Sequence, residues 1–106
     1  MIGENYKENA KIIIGLSIKY YDKYYDTAKL LFNMYQSHGL PVEIAIDEME
    51  KKGKIPNDIK AYLISEFLMF KIHNMTISGI GEERLRKMQI QNTRDVIRIY
   101  NTGNII

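Results

Sequence analysis

Residues 5–36 read NYKENAKIIIGLSIKYYDKYYDTAKLLFNMYQ, a stretch without proline whose pattern decides the fold class. Ile13, Leu16, Tyr20, Tyr24, Ala28, Leu31 and Tyr35 recur at steps of three and four, the period that keeps side chains on one helical face. Lys11, Lys19, Asp22, Lys23, Asp26 and Lys29 fall between them. Glu4 and Glu8 stand early, where a helix dipole favours negative charge. A helix of this length spans about 50 Å at roughly 1.5 Å per residue, more than the width of a compact chain of this size. Two resolutions are open: a break near Gly15-Leu16-Ser17, or packing against a second copy of the chain. A second apolar edge, formed by Ile12, Ile14, Tyr21, Tyr25 and Phe32, makes the stripe too wide for one neighbour. That width favours a homodimer with Tyr20, Tyr21, Tyr24 and Tyr25 at its interface.

Downstream, Ser37-His38-Gly39-Leu40-Pro41 punctuates the helix, with Gly39 suited to a left-handed residue past its end and Pro41 to the first turn of the next. Val42, Ala45, Ile46 and Met49 form the stripe of a second helix, which Lys51-Lys52-Gly53 closes. Asn57 reads as the N-cap of a third, with Ile59, Leu63, Phe67 and Phe70 on one face and Ile64, Leu68 and Met69 widening it. This most apolar segment is expected at the centre. No stretch alternates long enough to make a strand. The reading is an all-α protein: a small helical bundle of four or five helices, with a long N-terminal helix over about 5–36.

Its 106 residues, 45% hydrophobic and 26% charged, fit one folded domain over 1–106 and exclude a disordered chain. The absence of cysteine excludes a disulfide scaffold, a thiolate zinc site and a cysteine nucleophile. No apolar run is long enough to span a membrane, and the start lacks the basic-then-apolar order of a signal peptide, so a cytoplasmic protein without membrane association is expected. Eighteen isoleucines with plentiful Lys and Asn match AT-rich coding, as in many phages, archaeal viruses and low-GC bacteria, and a virus or mobile element is the expected source.

Charge is unevenly placed. Residues 1–70 carry a net −1 and residues 71–106 a net +3, with all four arginines (Arg84, Arg86, Arg94, Arg98) in the second part. Within this basic pole, residues 77–97 resemble the helix-hairpin-helix motif of proteins that bind DNA without sequence preference. Gly79-Ile80-Gly81 matches the motif's Gly-hydrophobic-Gly turn, Ile77 the apolar residue before it, and Leu85 and Met88 the buried positions of its second helix. Ile90 to Ile97 resembles the short helix that often follows, with Asn92 as its cap, so the hairpin-like element covers about 72–100. The resemblance implies a backbone-binding corner. Glycine lets the chain approach a ligand closely, a helix N-terminus presents free N–H groups to a phosphate, and Arg84, Arg86, Lys87 and Arg94 supply mobile positive charge. Glu82 and Glu83 share that first turn and favour the dipole themselves.

Catalytic patterns are weak. Tyr20/Tyr24 and Tyr21/Tyr25 are similar to the paired tyrosines of rolling-circle replication initiators. That chemistry needs a metal held by a close histidine pair, and the only histidines, His38 and His73, are far apart in the sequence. No phosphate-binding loop or dinucleotide fingerprint occurs. A non-enzymatic accessory or regulatory protein is expected, without cofactor or metal, binding nucleic-acid backbone. The rival expectation is an interaction module or inhibitor of a host enzyme or transcription factor. It would use the tyrosine face and the acidic second helix with Glu43, Asp47, Glu48 and Glu50.

Overall fold

The computed structural model describes residues 2–105, with side chains from residue 6; the side chain of Glu4, and Ile106, lie outside the described residues. Four helices follow in order: α1 (Ile2–His38), α2 (Val42–Glu50), α3 (Asn57–Ile77) and α4 (Glu82–Thr102), with no strand among the described residues. The fifth, short helix anticipated after Asn92 does not form. α4 runs through that position: Asn92, Thr93 and Val96 share the face that lines the cleft against α1, and the Thr93 hydroxyl donates to the Gln89 carbonyl at 2.9 Å within the helix.

Each α1 residue that the period marks is placed by what it meets. Leu16, Tyr20, Ala28 and Leu31 are buried, as is Phe32 of the second edge; Ile13 and Tyr24 pack at the core's margin, and Tyr35 is exposed at the end of the stripe. The helix does not break at Gly15. A straight helix of this length would reach about 55 Å, yet the molecule is 39 Å in its longest dimension, so α1 curves. It curves around α3. Tyr6 and Ile13, before the bend, line a cleft with Leu68 and Ile72 of α3 and Val96 of α4. Phe32, after it, packs on the opposite side against Phe67 (ring centroids 5.8 Å) and Phe70 (5.5 Å). Curvature replaces the break.

Gly39 ends α1 at φ +65°, its N–H donating to the Tyr35 carbonyl at 3.0 Å, a left-handed stop that glycine adopts without steric penalty. Pro41 and Pro56 sit just outside α2 and α3 as extended flanking residues, rather than inside the first turn, and neither helix has a side-chain cap. Asn57 is therefore the first residue of α3 and not its N-cap; Asp58 accepts its neighbour Ile59's N–H at 3.0 Å instead. α2 is too short to persist alone and holds through burial of Val42, Ala45 and Ile46.

α3 is the central helix. Ala61, Tyr62, Leu63, Ile64 and Ser65 are buried in succession, so its first half is covered on every side, by α1 and by antiparallel α4. Met69, expected to widen the core, is instead 56% exposed at the rim of the cleft that Tyr6 and Ile13 line with α3 and α4. The Lys60 ammonium ties three elements together, pairing with Glu50 Oε1 at 2.8 Å and donating to the Gly103 carbonyl at 3.3 Å beyond the end of α4.

Candidate nucleic-acid interface

The corner between α3 and α4 is built by Gly79 at φ +82°. Its N–H donates to the Thr76 carbonyl at 3.1 Å and the Ile80 N–H to the Met75 carbonyl at 3.2 Å, the paired bonds that finish a helix around a left-handed glycine. The amides of Gly79 and Ile80 are thus consumed by the end of α3. Gly81 is extended (φ −66°, ψ 150°) and stands at the N-cap of α4, with no side chain to satisfy the first amides. The first internal bond of α4 runs from the Leu85 N–H to the Gly81 carbonyl at 3.0 Å. The N–H groups of Glu82, Glu83 and Arg84 precede it and have no intrahelical acceptor. The donors facing outward therefore belong to the first turn of α4, and the exposed Glu82 and Glu83 side chains share that space. Ile80 is half-buried under the corner, Leu85 and Met88 are half-buried, and Ile77 is 72% exposed.

The basic side chains sort by helical phase. Arg84, Lys87, Gln91, Arg94 and Arg98 follow i, i+3, i+7, i+10 and i+14 and share one side of α4. Arg86, two residues from Arg84, points to another side of the same helix, so the two arginines do not act as one cluster. The ridge turns away from α1, whose cleft with α4 is lined by Gln89, Asn92, Thr93 and Val96. Arg84, Arg86 and Arg94 are exposed and have no ion pair or hydrogen bond among the described residues. Lys87 lies 3.6 Å from Glu83, an exposed pair that water screens strongly. Arg98 is committed at home: it donates to the carbonyls of Asn104 (2.6 Å) and Ile105 (3.4 Å) and lies 4.0 Å from Asp95. Gln91 and Arg98 escaped the reading of the hairpin motif, although counting helical phase along α4 would have placed them on the ridge.

The tyrosines divide differently from a single face. Tyr20 is buried, its hydroxyl donating to the Asp58 carboxylate, and that bond holds its hydroxyl pKa above the usual value. Tyr24 meets it edge-on at 5.7 Å. Tyr21 is half exposed and stacks on Tyr25 at 4.6 Å; Tyr25 in turn packs on Phe70. His38 and His73 are exposed on different helices, and no group of three metal-ligating side chains occurs among the described residues. No described helix is long and apolar enough to cross a membrane.

Comparison with protein-family models, curated proteins and solved structures gives no match for this chain.

Proposed function

We propose that this chain is a small non-enzymatic accessory protein that binds the sugar-phosphate backbone of nucleic acid along α4. The observation that carries this reading is the ridge of Arg84, Lys87, Gln91 and Arg94, exposed to solvent and ion-paired only at Lys87. It begins at a helix N-terminus whose first-turn amides are free to meet a phosphate. Mobile guanidinium and ammonium groups on a rigid rod recognise charge and not base edges, so binding is blind to sequence.

Its strength is set by counterion release. With about three to four phosphates neutralised, raising salt from about 50 to 200 mM weakens binding roughly 40- to 150-fold. Fluorescence anisotropy with a labelled duplex and a single strand of unrelated sequences tests this. The Arg84→Ala/Arg94→Ala protein is expected to lower the log–log salt slope by about 2, while Arg86→Ala, off the ridge, changes it less. No binding at low salt, or an unchanged slope in the double variant, overturns the reading.

A protein-interaction role is the second reading, favoured by Ile44, 47% exposed beside Asp47 and Glu48 on α2. A stoichiometric protein partner that survives nuclease treatment, together with no nucleic-acid binding, would put it first.

A further inference from the structure

An apolar seam on α1 stays open after the fold is complete. Ile14, Ile18, Tyr21 and Tyr25 follow i, i+4, i+7 and i+11, the spacing of a two-helix seam. Ile14, Ile18 and Tyr21 are 59%, 79% and 50% exposed. Tyr21 is held in place by its stack on Tyr25, which is anchored on Phe70. The two flanks of the seam differ. Ala10, Ser17 and Tyr24 on one side are half-buried against the body, whereas Glu8, Asp22 and Lys29 on the other are exposed, with Gly15 between them at the same seven-residue spacing. Asp22 and Lys29 have no ion pair among the described residues, and Glu8 lies 3.7 Å from Lys11 in an exposed pair that water screens strongly.

We propose that a second copy of this chain covers the seam, its α1 antiparallel to the first across a twofold axis near residues 19 and 20. This symmetry sets Ile14 opposite Tyr25 of the second copy and Ile18 opposite its Tyr21, so every apolar residue gains an apolar partner. On the open flank it brings Glu8 beside Lys29 of the second copy, twice over. Gly15 falls opposite Asp22, where a missing side chain leaves room for close approach. Parallel pairing in register would instead stand Lys11, one step along the same seam, against its own copy. Charge complementarity therefore selects both the occupant and its direction. The seam covers about three turns, below the size of a standard stable interface, so dissociation on the order of micromolar to tens of micromolar is expected. The basic ridge of α4 faces away from α1 and stays free, which makes this inference independent of nucleic-acid binding.

Sedimentation equilibrium from about 1 to 500 µM, bracketing that range, tests the association. The wild-type mass is expected to rise towards twice the chain's 12.4 kDa. Ile18→Glu, at a position already 79% exposed, is expected to keep its circular dichroism and stay at monomer mass. Direction is read by oxidation, since the chain has no cysteine of its own. Mixing Ile14→Cys protein with Tyr25→Cys protein is expected to yield the mixed disulfide in preference to either homodimer. Monomer mass throughout, a dimer untouched by Ile18→Glu, or cross-linking of Ile14→Cys protein mainly to itself each overturn the proposal.

Discussion

Replacing Tyr62 by Phe is expected to stabilise this protein, against the usual effect of trimming a core side chain. Tyr62 is fully buried on α3, and its hydroxyl has no hydrogen-bond partner among the described residues. In the unfolded chain that hydroxyl is hydrated, so folding forfeits water contacts without replacing them, at about 1–3 kcal/mol. Phe removes the penalty and keeps the ring that meets Tyr20 at 6.1 Å. The void left by one oxygen returns a few tenths of a kcal/mol. The net gain is about 1–2 kcal/mol, or roughly 5–10 °C in Tm for a chain of this size.

Alkali offers a second readout. Burial pushes the Tyr62 hydroxyl pKa well above that of a free tyrosine, with the negative charge of Glu66 adding to it. A raised folded pKa means that stability is complete below about pH 10, where unfolded tyrosine begins to ionise, and declines as pH rises beyond it. Tyr62→Phe is expected to flatten that decline. Urea melts of both proteins at pH 8 and at about pH 10.5 measure the two effects together. A Tyr62→Phe protein less stable by 1 kcal/mol or more at pH 8 would mean the hydroxyl is satisfied in the native state and refute the reasoning.

Three further outcomes follow from particular contacts. Burial raises the Glu66 carboxyl pKa, so its stability contribution is complete below about pH 4.3 and is lost as pH rises through the folded value; Glu66→Gln is expected to raise Tm at pH 7 and leave it unchanged near pH 4. Tyr20→Phe loses the hydroxyl bond to Asp58 and is expected to cost about 1–2 kcal/mol by urea melt, less in an Asp58→Asn background if the two groups are coupled. Gly103→Ala places a side chain at φ +72° and against the Asn57 amide, whereas Gly79→Ala meets only the backbone penalty at φ +82°, so both lower Tm and Gly103→Ala lowers it further.

The fold was legible where one periodicity governs one helix. Val42, Ala45 and Ile46 land in the core as their spacing requires, and Leu63, Ile64 and Phe67 are buried in the most apolar segment, which forms the central helix. Legibility failed where a neighbour decides. The overlong α1 suggested a break because a straight rod does not fit a small body; the third option, bending around α3, depends on Phe67 and Phe70 waiting on the far side. Asn92-Thr93 carries the chemistry of a cap, yet the cleft beneath α1 rewards keeping Asn92, Thr93 and Val96 on one continuous face, and the cap signal yields to that packing.

The site divides along the same line between local chemistry and three-dimensional bookkeeping. Gly79-Ile80-Gly81 makes a tight corner, as glycine at a positive φ permits, but which carbonyls use its amides is settled by α3, and Met75 and Thr76 take two of them. Backbone donors for an anion therefore start one turn later than the motif suggests, beside two glutamates. For the proposed nucleic-acid contact, that shifts the burden of binding from the turn to the side chains. Those side chains, in turn, form a ridge only because α4 does not stop at Asn92: a helix ending there would leave Arg94 in a separate element, free of any fixed relation to Arg84 and Lys87. The continuity of α4 is thus the physical condition for a multi-residue phosphate contact. A proline at Gln91, which would break the rod between Lys87 and Arg94, should weaken binding by more than Gln91→Ala does.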